Sequence, residues 1–335
     1  MVQINRNFFP TESFLIPDAN TLDNGIYTML NYELKKWDFQ AGVRYDRRDL
    51  RTFQIAGVDS TITQNIDDTP LSRSFDQINY AAGFVRNDKH TTIRFNASSE
   101  YRAPHLAELK ADGFHHGSLR YEQGDASLAA EQALQFDATV ELHFDHFEFI
   151  VNPYFNRIEN FIYLYQSDQF AGSFPIFEFR QADMAYLYGG EAGFHFHPHQ
   201  LHRLHLESTF SLTIAERANG EPINLIPQPM INTLLRFDVN NKSSVSVKDI
   251  VIEHQYFLPQ NRVGLNETPT VDFHLINMAV NFELGDSKAW TGALGVRNAL
   301  NTTYVGHLSA LKNLGLNQPG INFFGSIQYV FNKSK

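Results

Sequence analysis

The chain has 335 residues, with 27 Lys and Arg against 37 Asp and Glu and a formal net charge of -10. No basic run offers a footing for phosphates, so a nucleic-acid partner is excluded. The absence of cysteine removes disulfides, thiolate metal sites and Cys nucleophiles.

Mean hydropathy is -0.31, and no stretch approaches the roughly 20 consecutive apolar residues of a membrane helix. The opening VQINRNFFP has neither a basic n-region nor an apolar h-region, so no secretory signal is read there. Alternation begins in the segment after it. From 37 to 45, Trp37, Phe39, Ala41, Val43 and Tyr45 share one face, and Asp38, Gln40, Gly42 and Arg44 share the other. The period is two, the signature of a strand with two different surroundings. In 91–102, Ile93, Phe95, Ala97 and Tyr101 oppose Thr92, Arg94, Asn96, Ser98, Glu100 and Arg102. Leu134, Phe136, Ala138, Val140, Leu142 and Phe144 then oppose Gln135, Asp137, Thr139, Glu141 and His143. Pro153 falls within the next strand and removes a ladder donor, which predicts a bulge or a wet lumen-side neighbour. The pattern returns in 204–214, 276–284 and 321–331.

About thirteen such segments are read, most of them well beyond the roughly 5 to 6 residues of soluble strands. Crossing hydrocarbon takes about 9 to 11 tilted residues. Connections alternate in size: brief turns near 35–36, 87–89, 145–146, 197–201, 240–243 and 285–287, and long loops at 54–73, 104–128, 165–175, 217–228, 258–268 and 300–319. In an up-and-down meander every second connection lies on the same rim, and outer-membrane barrels keep short turns on the periplasmic side and long loops outside. Aromatic residues near strand ends, such as Trp37, Tyr45, Tyr256, Trp290 and Tyr329, fit an interfacial girdle, although β propensity alone also favours them in strands.

Tyr101-Arg102-Ala103-Pro104 with Leu106, Glu108 and Leu109, then Gly113 to Gly117 with its His pair, then Tyr121-Glu122 and Gly124-Asp125, resembles the mid-barrel segment of TonB-dependent outer-membrane receptors. Residues 154–165, 187–198, 266–284 and 295–331 are similar to its later strands, and 14–46 matches its style. The resemblance implies a 22-strand barrel with an N-terminal plug domain, of which this chain looks like the C-terminal part. Its partners would be the outer-membrane lipid bilayer, the plug and the remaining barrel strands, the TonB energising complex acting through the plug, and the barrel-assembly machinery. A departure is the tail Asn332-Lys333-Ser334-Lys335 after Phe331, where the family ends on an aromatic residue.

The expected fold is therefore all-β, a partial transmembrane antiparallel up-and-down β-barrel of 13–14 strands without a plug. Residues 1–23 are a partial strand and extracellular segment, 24–331 the partial barrel and 332–335 a tail. Residues 2–9 supply a fourteenth strand that makes antiparallel closure feasible; with thirteen, the first and last strands both run downward, and an isolated chain aggregates or pairs with its missing half.

Candidate ligand-contacting residues are Arg94, Glu100 and Arg102 on the lumen face and His105, Asp112 and Glu122 in the 104–128 loop, the first to meet an imported molecule. His115 and His116 are candidate metal ligands, since neutral imidazole with carboxylate suits Zn²⁺ and similar ions, and the segment resembles the zinc-uptake branch. The plainer readings are a charge ladder that keeps the lumen wet and loop residues that pack over it; adjacent histidines need not chelate. A second group, His195, His197, His199, His202 and His205, straddles a predicted periplasmic turn, away from ligand capture. No resident cofactor is expected, with zinc or an iron chelate as transported ligand only. No G-x-S-x-G, H-E-x-x-H, P-loop or dinucleotide fingerprint occurs, so the chain is read as no enzyme. The function implied is uptake of a scarce nutrient, a metal ion, metal chelate or siderophore; the alternatives are an outer-membrane enzyme and a soluble all-β binding module.

Overall fold

The computed structural model describes residues 1–5, 15–53, 69–198, 201–239, 244–285 and 288–331. The turn at 240–243, His199, Asp67 and Asp68, residues 6–9, the tail 332–335 and parts of the 54–73 loop and the 197–201 and 285–287 turns lie outside them.

Among the described residues, sixteen strands join in one antiparallel sheet with one parallel pairing. They are β1 (Val2–Asn5), β2 (Asp18–Leu34), β3 (Trp37–Phe53), β4 (Ser72–Asn87), β5 (Thr91–Arg102), β6 (Asp112–His115), β7 (Arg120–Gln123), β8 (Glu131–Phe144), β9 (Phe147–Ala171), β10 (Phe174–Phe196), β11 (Leu204–Arg217), β12 (Met230–Asp238), β13 (Val245–Phe257), β14 (Phe273–Leu284), β15 (Trp290–Arg297) and β16 (Asn322–Tyr329). Fourteen of these follow one another in chain order as an up-and-down meander, and β6 and β7 stand off the path. Residues 2–5 do form the extra strand, paired to the long-loop end of β2 from Val2↔Leu22 to Asn5↔Ala19. No described ladder joins β16 to β1 or β2. The flanks therefore carry bare edges, with Ile26 73% and Phe323 77% exposed.

Register fixes the two faces. Phe39 lies beside Phe84, Phe84 beside Phe95, Ala97 beside Phe136 and Phe136 beside Phe155, so one apolar surface runs across five strands. Rings touch along it: Phe84 to Phe95 at 6.0 Å and Phe95 to Phe136 at 6.5 Å. On the opposite face Asn96 Nδ2 donates to Asp137 Oδ2 at 2.8 Å, and Arg94 pairs with Glu141. Large apolar side chains on the first face stay exposed, and buried apolar residues are few and gathered near one rim. A sheet with no dry centre, oily outside and polar inside, suits a lipid-facing wall around water. At the short-turn rim Trp290 packs on Tyr329 at 4.6 Å and Trp37 on Phe39 at 5.9 Å, in girdle position.

Three expectations are corrected. The segment 165–175 is no long loop: β9 and β10 continue to Ala171 and Phe174 and turn through Gly172, whose φ of 63° is a left-handed conformation that glycine adopts without strain. Its polar composition reads as loop, but β7 adds a third strand there, parallel to β10 from Ile176↔Tyr121 to Glu178↔Gln123. The 104–128 connection is likewise structured, holding α1 (Leu106–Lys110), β6 and β7. Pro153 produces no bulge: pairing with β8 resumes at Val140↔Val151 in unchanged register after Asp137↔Tyr154. The cost is confined to unpaired rungs, and Gly190 lies opposite Pro153 on β10.

Candidate functional site

The long-loop rim is built from the Y-R-A-P-H-L-x-E-L segment upward. Pro104 biases the residue before it to extended backbone and ends β5. His105 then caps α1: its Nδ1 accepts from the Ala107 nitrogen at 3.4 Å, while Glu108 Oε2 accepts from the His105 nitrogen at 2.6 Å, the reciprocal capping box. Arg102 donates to both Glu108 oxygens at 2.9 and 3.1 Å and to Glu131 Oε2 at 2.5 Å. Glu131 also accepts from the Ile162 nitrogen at 2.6 Å, so strand β5, helix α1, strand β8 and strand β9 meet at one guanidinium. Beneath lies a small core of Leu109, Leu128, Ala103, Ile162, Leu50 and Phe75. Gly124 brings the chain back against α1, donating to the Ala111 carbonyl at 2.6 Å, and Asp125 follows onto the Glu108 carbonyl at 2.8 Å.

The structure disperses the remaining loop candidates. Asp112 accepts from the Tyr121 hydroxyl at 2.9 Å, and burial together with that carboxylate raises the Tyr121 pKa above its ordinary value and keeps the phenol protonated. Glu122 is buried and accepts from Arg120 Nε at 2.7 Å. Arg120 in turn lies 4.9 Å from the Phe177 ring. His115 Nδ1 faces the Ser118 hydroxyl at 2.8 Å, and the His116 ring stands edge-on to Phe114 at 4.8 Å. These two histidines have separate partners, and among the described residues no group of three or more His, Asp or Glu side chains stands in a geometry that could hold a metal ion. Glu100 is exposed on the lumen face, across from Ala133. Arg94 and Arg102 pair with carboxylates on β8 rather than with Glu100.

Two recesses open on the inner side of this rim. One, of about 620 Å³, is lined by Arg44, Arg47, Arg48 and Arg102 with Asp23 and Asp46. Arg44 Nε donates to Asp46 at 2.6 Å and Arg48 Nε to Asp23 at 2.7 Å, so its cations are held in place by neighbours. The other, of about 510 Å³, is lined by Phe257, Phe273, Leu275 and Tyr304 with Gln228, Gln255 and His307. Its roof comes from three long loops tied together at His307: Nδ1 faces the Thr270 hydroxyl at 2.8 Å and Lys312 Nζ at 3.1 Å, Nε2 stands 3.1 Å from Glu267, and its backbone nitrogen donates to Gln228 at 3.2 Å. Burial and the Lys312 charge lower the His307 pKa, and burial lowers that of Lys312. Sequence reading passed over this cluster and over Arg44 and Arg48 as ligand contacts. Residues forty positions apart carry no shared spacing; the lumen parity of Arg44 and Arg48 was the available signal.

The family model described as TonB dependent receptor-like, beta-barrel, matches residues 3–299. Solved structures of similar shape include a protein titled Copper transporter OprC, at 14% identity and a TM-score of 0.77, covering 94% of this chain and 48% of that one. The FrpB iron transporter from Neisseria meningitidis (F3-3 variant) aligns at 14% identity and a TM-score of 0.68, over 94% of this chain and 46% of the other. The siderophore receptor PirA from Acinetobacter baumannii aligns at 12% identity and a TM-score of 0.63, over 94% and 55%. This chain spans about half the length of those structures, and at such identities the likeness is one of fold. With the family model spanning most of the chain and the wall built as described, the protein belongs to the TonB-dependent receptor β-barrel family of the outer membrane.

Proposed function

We propose that the chain supplies wall, lumen lining and outer-loop surface to a receptor that imports a scarce metal-bearing nutrient, a metal ion, metal chelate or siderophore, powered by the TonB energising complex. As a receptor barrel the chain is not an enzyme. The observation that carries the reading is the segregated wall topped, on its long-loop rim, by the Arg44, Arg48 and Arg102 recess. Guanidinium groups held in fixed forks suit the oxygens of an anionic chelate. That favours a chelate over a bare ion at this recess, with Arg94 and Glu100 on the lumen face and His105 and Asp112 on the loop side as further polar contacts.

The test is uptake of a radiolabelled ferric chelate and of radiolabelled zinc in cells with and without the gene, before and after an uncoupler. Energy-dependent accumulation of either, present only with the gene, is expected. Equal accumulation in both strains for both labels overturns the proposal.

A further inference from the structure

Five of the chain's fourteen histidines fall between positions 195 and 205, and the fold brings a further one to them. His195 is the penultimate residue of β10, His205 the second of β11, His197 follows β10, and His146 sits in the turn between β8 and β9. The backbone nitrogen of His197 donates to the His146 carbonyl at 3.1 Å, locking the two turns of the short-turn rim together. Ring centres of His195 and His205 are 5.4 Å apart, those of His195 and His197 5.1 Å, and those of His146 and His197 5.4 Å.

The orientation of two rings is the informative feature. His195 Nε2 and His205 Nδ1 are hydrogen-bonded at 3.2 Å, so one proton lies between them. Their outer nitrogens face carboxylates: His205 Nε2 is 3.3 Å from Asp238 and His195 Nδ1 is 3.9 Å from Glu148. Asp238 behind His205 favours the proton on that ring's outer nitrogen and turns its Nδ1 toward His195, the arrangement that orients metal-bound histidines, while Glu148 lies beyond hydrogen-bond reach of His195. A divalent cation that takes the place of the proton between the two inner nitrogens keeps both rings joined and releases that proton to solvent. Their separation is close to the roughly 3.3 Å that tetrahedral geometry sets between two nitrogen ligands about 2.0–2.1 Å from zinc. The buried Nδ1 of His197 has no hydrogen-bond partner, an uncompensated cost next to the same spot.

We propose that His195 and His205, joined by His197 after rotation of its ring, bind a borderline divalent cation of the zinc class at the short-turn rim. Asp238 acts as orienting partner to His205, and Glu148 adds negative charge near His195. The rings as they stand are stacked rather than aimed at one point, so closure involves side-chain rotation. Glu207 stands across from His195 and Arg236 across from His205. Arg236 opposes the cation, and its Nε lies 3.4 Å from Asp238, which offsets that charge. The site stands independently of the import reading.

The test is calorimetric titration of the full-length protein in detergent micelles with Zn²⁺, with Co²⁺ as spectroscopic probe. Binding in the unchanged protein that weakens at least tenfold in His195→Ala and in His205→Ala, yet persists when His115 and His116 are both replaced by Ala, is expected. Where a variant does not fold, the Co²⁺ spectrum of the unchanged protein decides: intense visible bands of tetrahedral coordination uphold the site, and weak bands like those of the hydrated ion overturn it. Unaltered Zn²⁺ binding in folded His195→Ala and His205→Ala variants also overturns it.

Discussion

Gly124 lies so near the end of helix α1 that a β-carbon at this position would stand 2.6 Å from the Lys110 nitrogen. The Ala111 nitrogen and the Leu109 carbonyl carbon would each be 2.7 Å away. All three are backbone atoms, so the neighbour cannot swing aside as a flexible side chain would. Gly124→Ala is expected to push the β7 end off α1 at a cost of about 1–3 kcal/mol, the usual range for overpacking. Limited proteolysis should then cut between 104 and 128 while the rest of the wall resists. Equal protection in the two proteins would falsify the account.

Arg102 is the second point of failure in the same annex. Its fork serves Glu108 and Glu131, whose side chains are 15% and 10% exposed. Replacing it by Ala strands two shielded carboxylates and is expected to cost about 1–3 kcal/mol, read as a lower midpoint of heat-induced unfolding on gels. Arg102→Lys keeps the charge without the fork and should fall between the two. A lysine variant as weak as the alanine one would show that the fork geometry is everything and the charge nothing.

The two faces of β8 differ in what they tolerate. Phe136→Arg puts a charge on the lipid face and should cost about 2–4 kcal/mol near the bilayer midplane, whereas Thr139→Arg on the lumen face should be mild. Urea titration of both variants in lipid vesicles measures the difference. Indistinguishable midpoints would reverse the assignment of inside and outside.

The roof over the smaller recess should loosen in acid. Folded, His307 takes its proton below the ordinary value of 6.5, because burial and Lys312 oppose the charge. The unfolded loop therefore binds more protons as pH falls through about 6.5. Stability from this group is complete above that pH and is lost progressively as pH drops through the folded value. Protection factors in 298–321, exchange rates corrected for the intrinsic pH dependence, should fall between pH 7.5 and 5.5, with a weaker dependence in His307→Gln. An identical pH response in the two proteins would remove His307 from the account.

Much of the wall was legible because its signal is local. Leu134, Phe136 and Ala138 against Gln135, Asp137 and Thr139 declare two surroundings within one strand, and turn and loop sizes alternate without any distant contact being known. The annex was not. Helix α1 has five residues, too few for a periodic pattern, and it is held by Glu108, Arg102 and Gly124 from three places in the chain. The tall β9–β10 hairpin was hidden by residues such as Gln166, Ser167 and Asp168, which look like loop; Gln166 pairs with Phe177, and Ser167 and Asp168 fall in the register shift before Phe170↔Pro175. Among the candidates, His115 and His116 were conspicuous as a pair, but neighbours in a chain point apart, and Ser118 and Phe114 claim them separately. Glu267, His307 and Lys312 meet only through three loops folding over one another.

The long-loop rim is cross-laced, and the lacing crosses from one group of loops to the other. Asn266 Nδ2, in the β13–β14 loop, donates to the Gln166 carbonyl on the tall hairpin at 3.0 Å, and that hairpin carries the annex through β7. Load applied to any one of these segments is shared around the mouth like tension in a drawstring. Widening the entrance then becomes a collective act.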